Sequence, residues 1–171
     1  MVTFLTLSKD TRERIYKTVL NLPHPAFIFQ GQGSKVEIFA PDRPTYWLVL
    51  LYINHQISSE ASETLYSVNH FELVDITQRQ SSLLRSFLDS IRLMNAASLS
   101  HLCINLPVVE SIDGQSGNIK LRDDSLQSVK LLQDRCTNLS TLETLVHSKS
   151  PVSSRRQNLF FVWHFHHLIR S

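Results

Sequence analysis

The chain has 171 residues, of which 42% are hydrophobic and 19% charged, and a formal net charge of +2. That length suits one domain with room for a proper core, and the composition excludes a disordered or low-complexity chain. The small charge, with basic residues scattered between one predicted helix (Arg12, Arg14, Lys17) and a polar stretch (Arg155, Arg156), argues against nucleic acid or an anionic membrane as partner.

Ser8 to Leu22 reads as the first helix. Ile15, Val19 and Leu22 fall on one face, flanked by Tyr16 and Leu20. Ser8 or Asp10 caps its start, Glu13 stands three after Asp10 at a capping-box spacing, and Pro23 and Pro25 stop it. Ala26 to Phe39 reads as a hairpin, with strand-like Phe27-Ile28-Phe29 and Val36-Glu37-Ile38-Phe39. Gly31 and Gly33 supply the positive φ of its turn. Pro41 to Pro44 is a loop. Tyr46 to Ile53 is apolar and is expected to be a buried helix leading into the next one, which runs from Ile57 to Val68 with Ile57, Ala61, Leu65 and Val68 on one face. Phe71 to Ile76 alternates as a strand. Ser81 or Ser82 caps a third helix whose inner stripe is Leu84, Phe87, Leu88 and Ile91.

Leu99 to Leu106 reads as a strand ending at Pro107, and Glu110 to Asn118 as a loop with turns at Asp113-Gly114 and Gly117-Asn118. Asp123 or Asp124 starts a fourth helix with Val129, Leu132 and Cys136 inward, and Leu139 to Val146 is a further strand. Leu99-Ser100-His101-Leu102 recurs as Leu139-Ser140-Thr141-Leu142, at the spacing of a strand-plus-helix repeat unit. Neighbouring parallel strands joined by a right-handed helical crossover are therefore expected. The domain is read as 1–147, followed by a polar linker over 148–158 and an apolar, histidine-rich segment of no clean period over 159–171.

Cys103 and Cys136 lie beside apolar residues and read as buried free thiols of a reducing compartment. Met1 to Leu7 lacks the basic start and cleavage site of a signal peptide. The longest apolar run, Tyr46 to Ile53, falls far short of the roughly 20 residues of a membrane helix. An intracellular protein, cytoplasmic or nuclear, is expected.

Nothing in the sequence assembles a catalytic or cofactor site. His164, His166 and His167 are nearly adjacent, and lack the converging Cys, Asp or Glu ligands that zinc requires. Gly114-Gln115-Ser116-Gly117 lacks the spacing of a nucleophile elbow, and Gly31-Gln32-Gly33 has no third glycine and no following helix to bind phosphate. Glu60 and Glu63, at i and i+3, read as a solvated helix face. His101 and Cys103 share one side of a strand, which leaves a small enzyme or ligand-binding protein with a pocket beside them as the alternative reading. A structural fragment without its own partner, exposing the apolar 159–169, is the third.

Two blocks carry a resemblance. The first is Phe4-Leu5-x-Leu7-Ser8-x-Asp10-Thr11-Arg12-x-x-Ile15-Tyr16-x-x-Val19-Leu20. The second is Leu50-Leu51-x-Ile53-Asn54-His55-Gln56-Ile57-x-x-Glu60-Ala61-x-x-x-Leu65-Tyr66-x-x-Asn69-x-Phe71. The first resembles the opening helix of fungal F-box-like proteins, and the second is similar to a block further on in the same family. Phe87-Leu88-x-x-Ile91, Asn95-Ala96-Ala97 and Leu102-x-Ile104 fit the same pattern, and Cys136-Thr137-Asn138-Leu139-x-Thr141-Leu142 resembles the strand lead-in of leucine-rich-repeat-like regions. Ser8, Asp10, Thr11 and His55 depart from the pattern's proline, glutamate, isoleucine and arginine. The resemblance spans about the first 145 residues. It implies an α+β fold of F-box-like helices with an inserted β-hairpin, then short strand–helix, leucine-rich-repeat-like units. It also implies a non-enzymatic protein–protein interaction module, without cofactor or metal, that binds a Skp-type adaptor of a cullin ubiquitin ligase and recruits a substrate protein. Leu5, Leu7, Ile15, Tyr16 and Val19 are the expected protein-binding residues. Asn54, Gln56, Glu60, Tyr66 and Asn69 are expected to tie helix ends and strand together, because buried polar groups need partners.

Overall fold

A computed structural model describes residues 3–41, 43, 47–74, 80–105, 109–112, 119–146 and 159–164. After a 3-10 turn at Phe4–Thr6 comes α1 (Lys9–Leu20), then the strands β1 (Ala26–Gln30) and β2 (Val36–Phe39). A second 3-10 turn, Val49–Tyr52, leads to α2 (His55–Val68) and β3 (His70–Leu73), then α3 (Gln80–Ser90), α4 (Arg92–Ser98) and β4 (His101–Asn105). The chain continues through β5 (Val109–Ile112), β6 (Ile119–Leu121), α5 (Asp123–Arg135), β7 (Thr141–Val146) and β8 (Leu159–His164). The class is the expected α+β.

Helix starts follow the local chemistry. The Ser8 side chain accepts the Thr11 N–H at 3.3 Å, and the Asn54 side chain accepts the Ile57 N–H at 2.9 Å, each satisfying a donor that the first turn leaves open. Ser34 N–H bonds Gly31 O at 3.1 Å in the β1–β2 turn. Of its two glycines only Gly33, at φ 72°, takes the left-handed conformation. Arg92, at φ 68°, is the one non-glycine residue there among those described, and it breaks a long helical run into α3 and α4.

The strands form one six-stranded sheet in the order β2-β1-β3-β4-β7-β8 and a separate β5-β6 hairpin. β1, β3, β4 and β7 run parallel, each beside its predecessor, with β2 and β8 antiparallel at the edges. The internal echo is realised residue for residue: His101 pairs with Thr141 and Leu102 with Leu142. Alternate strand positions face opposite sides. Ala26, Phe71, Leu102 and Leu142 share one side, with Ile28, Leu73 and Ile104. Together with Tyr16 and Leu20 of α1, Ile57, Ala61 and Leu65 of α2, Leu84, Phe87 and Leu88 of α3, and Leu132 of α5, they form a single buried cluster. The helices thus cover one face of a parallel sheet.

Several expectations are corrected. In α1 the buried residues are Arg12, Tyr16 and Leu20, while Ile15 and Val19 are exposed. The inward stripe is therefore the neighbouring one, because Arg12 is drawn in by an acidic partner described below. The stretch expected as a buried helix over Tyr46 to Ile53 is not one in its described part, 47–53: there only Val49–Tyr52 is helical, as a 3-10 turn, and Val49, Tyr52 and Ile53 are exposed. Glu110–Ile112, expected in a loop, belong to β5, which pairs with β6. The segment after 158 has a partner: Leu159–His164 pairs with all of β7. The turns at 113–118, the polar stretch 148–158, and His166 and His167 lie outside the described residues.

Candidate functional site

Two places concentrate chemistry. The first is the packing of α1 on α2. Arg12, buried although charged, forks onto the carboxylate of Glu60: Nε donates to Oε2 at 2.8 Å and Nη2 to Oε1 at 2.6 Å. Its third nitrogen, Nη1, donates to the carbonyl of Leu7 at 2.6 Å. Tyr16 OH donates to Glu60 Oε2 at 3.1 Å, and Gln56 Nε2 donates to Oε1 at 3.2 Å. The fork matches the carboxylate in plane and in charge. Arg12 holds the Glu60 carboxyl down at about 2, with help from Gln56 and Tyr16 against the opposing effect of burial. Glu60 is therefore not a residue of a solvated face, though its neighbour Glu63 is exposed.

This arrangement sorts the expected protein-binding residues. Tyr16 is 1% exposed and packs against Phe4, with ring centroids 5.7 Å apart. It belongs to the core. Leu7 is half-buried. Leu5, Ile15 and Val19 are 43%, 36% and 43% exposed, and Ile15 and Val19, four apart, share the outward side of α1. The polar ties of Asn54, Gln56, Glu60 and Asn69 are as expected. Asn69, buried, donates through Nδ2 to Leu20 O at 2.9 Å and Leu65 O at 2.8 Å, and accepts the Leu22 N–H at 2.7 Å. Tyr66 stacks on Phe71 at 5.3 Å.

The second place is the side of the sheet away from the helices. The strand register puts His70, His101 and Thr141 in one row, and Glu72, Cys103 and Glu143 in the next. The rings of His70 and His101 stack, with centroids 3.8 Å apart and planes at 9°. His101 Nε2 lies 2.9 Å from Glu143 Oε1, and His70 Nε2 lies 3.8 Å from Glu143 Oε2. His70 Nε2 is buried and has no hydrogen-bond partner. Burial lowers the His70 pKa, His101 lowers it further and Glu143 works the other way, so the ring favours its neutral form. Burial also pushes the Cys103 thiol up to about 12, with Glu72 and Glu143 adding to it.

At neutral pH that thiol is protonated, which does not suit a nucleophile, and His101 is engaged with Glu143 rather than with sulfur. Two small cavities lie elsewhere. One of about 220 Å³ is lined by Ser81, Arg85, Ser128 and Leu131 between α3 and α5, and one of about 80 Å³ is lined by Lys9, Glu13 and Glu63 beside α1 and α2. Among the described residues no helix is long and apolar enough to cross a membrane.

Comparison with known protein families, with characterised proteins and with solved structures found no match. Sequence reading named His101 and Cys103 but missed His70, Glu72 and Glu143. A signal for one of them was present: aligning Leu99-Ser100-His101-Leu102-Cys103 with Leu139-Ser140-Thr141-Leu142-Glu143 sets Glu143 beside Cys103.

Proposed function

We propose that the chain is a non-enzymatic protein-interaction module of the F-box-like kind. In this reading the outward side of the first helix receives a Skp-type adaptor of a cullin ubiquitin ligase, and the strand–helix units that follow, leucine-rich-repeat-like in character, meet a substrate protein. The observation that carries it is the exposure of Leu5, Ile15 and Val19 beside a helix whose other side is locked by Arg12 on Glu60. A rigid helix presenting spaced apolar side chains suits recognition by an apolar groove, since little ordering cost remains on binding. Tyr16 then serves by positioning the helix, and Leu7 lies at the rim.

The test is co-purification of the tagged chain with a Skp-type adaptor, beside the double variant Ile15→Asp, Val19→Asp. Both positions are exposed, so the variant should keep its fold, which circular dichroism checks. Retention of the adaptor by the parent and its loss in the folded variant are the expected results. A folded parent that retains no adaptor ends this reading.

A further inference from the structure

We infer that the side of the sheet opposite α1–α5 is a binding site for a divalent transition-metal ion of the zinc type, with His70, Cys103 and Glu143 as ligands and His101 positioning Glu143. One atom from each of the three ligands lies within 4.8 Å of the others. Tetrahedral zinc with nitrogen, oxygen and sulfur ligands at about 2.0–2.3 Å needs ligand atoms about 3.3–3.8 Å apart. His70 Nε2 and Glu143 Oε2 are already 3.8 Å apart. Side-chain rotations moving atoms by about 1 Å would close the rest, because the backbone register already holds all three residues on adjacent strands of a parallel sheet.

Four features separate this cluster from an ordinary polar sheet face. The residues come from three strands, so the ligands converge from different elements. His70 Nε2 is a buried lone nitrogen with no hydrogen-bond partner, and buried polar atoms without partners are uncommon. His101 contacts Glu143 while stacking on His70, the kind of contact that fixes how a carboxylate addresses a metal. The charges also balance: a divalent cation with one thiolate, one carboxylate and neutral imidazole is neutral overall, which suits a largely buried site. Binding forms a metal–sulfur bond and releases the Cys103 proton to solvent. A water completes the fourth position, which keeps the site neutral, whereas Glu72, in register with Cys103, would add a second carboxylate charge. The thiolate selects zinc-like ions over magnesium and calcium, which prefer oxygen.

The experiment is titration of the full chain, purified without a histidine tag, with Co²⁺. Absorbance reads the sulfur-to-cobalt charge-transfer band, and Zn²⁺ competes. The band should saturate at one equivalent, persist in Cys136→Ser and vanish in Cys103→Ser. His70→Ala and Glu143→Gln should each weaken binding at least ~10-fold, and His101→Ala by ~10–100-fold, the range for residues that orient a ligand. Circular dichroism accompanies each variant. Should Cys103→Ser fail to fold, the two part-exposed positions His70 and Glu143 decide. A folded parent with no band and no competing Zn²⁺ binding overturns the proposal. So does a band that survives Cys103→Ser, or one that disappears with Cys136→Ser.

Discussion

Replacing Glu60 by Gln removes the charge at the α1–α2 contact while keeping the side chain's shape. The parent carboxylate accepts four hydrogen bonds, two from Arg12 and one each from Tyr16 and Gln56. A carboxyl moved from its ordinary 4.5 to about 2 by folding corresponds to about 3 kcal/mol. Water at this carboxylate, whose side chain is 17% exposed, screens part of that, leaving about 1–3 kcal/mol. The folded-state pKa is depressed, so the contribution is complete above about 4.5 and is lost as pH falls toward about 2. Urea unfolding of the parent and Glu60→Gln at a series of pH values should therefore show a gap of about 1–3 kcal/mol at pH 7 that narrows from about pH 4.5 downward. Taking the difference cancels the titration of the other carboxylates. A gap below about 0.5 kcal/mol at neutral pH, or one that stays constant to pH 2, would refute the claim that this ion pair sets the face of α1.

Asn69→Ala removes three hydrogen bonds, two of them buried, and leaves Leu20 O, Leu22 N and Leu65 O short of a partner, so unfolding should become easier by about 2–4 kcal/mol in urea titration. Arg92→Gly relieves a left-handed arginine at the α3–α4 joint and should stabilise by about 0.5–1 kcal/mol, read as a rise in Tm; a fall would show that the Arg92 side chain supplies more than its backbone costs. Cys103 and Cys136, both buried and both pushed up to about 12, should resist a thiol reagent in the native metal-free protein and react fully in denaturant. Fast native reaction at either would contradict the burial of that residue.

Most of the architecture was legible where local chemistry determines it. Ser8 and Asn54 cap helices for the reason their residue type suggests, and the turn of the β1–β2 hairpin follows from Gly33, one of its two glycines. The repeated Leu-Ser-x-Leu foretold the parallel β4–β7 pair. What failed depended on distant partners. α1 carries two overlapping stripes, and only Glu60, 48 positions away from Arg12, decides that Arg12, Tyr16 and Leu20 turn inward. Nothing near residue 159 signals that it will pair with β7. The candidate metal ligands are just as far apart, 33 positions from His70 to Cys103 and 40 from Cys103 to Glu143, and each alone resembles an ordinary outward strand residue.

The same three units that build the sheet carry a second regularity. One position before each of β3, β4 and β7 stand Asn69, Ser100 and Ser140, aligned by the register of the strands that follow. Each bonds backbone from an earlier part of the chain: Asn69 Nδ2 to Leu20 O at 2.9 Å, Ser100 Oγ to Ser67 O at 2.6 Å, and Ser140 Oγ to Ser100 O at 3.0 Å. Stacked units expose carbonyls at the turns between helix and strand, and a short polar side chain there satisfies them without filling core volume. The leucines on either side of each serine, Leu99 with Leu102 and Leu139 with Leu142, are all buried. Packing is thus borne by the leucines and by the polar rungs. His70, Glu72, His101, Cys103 and Glu143 face the other side of the sheet and lie outside the buried cluster under the helices, which separates them from the stacking of the units. If this division holds, Ser140→Ala should lose about 0.5–1.5 kcal/mol of stability while leaving Co²⁺ binding intact, and Glu143→Gln should weaken Co²⁺ binding with little change in stability. Variants that moved both quantities together would show that the rungs and the polar face are one structural unit.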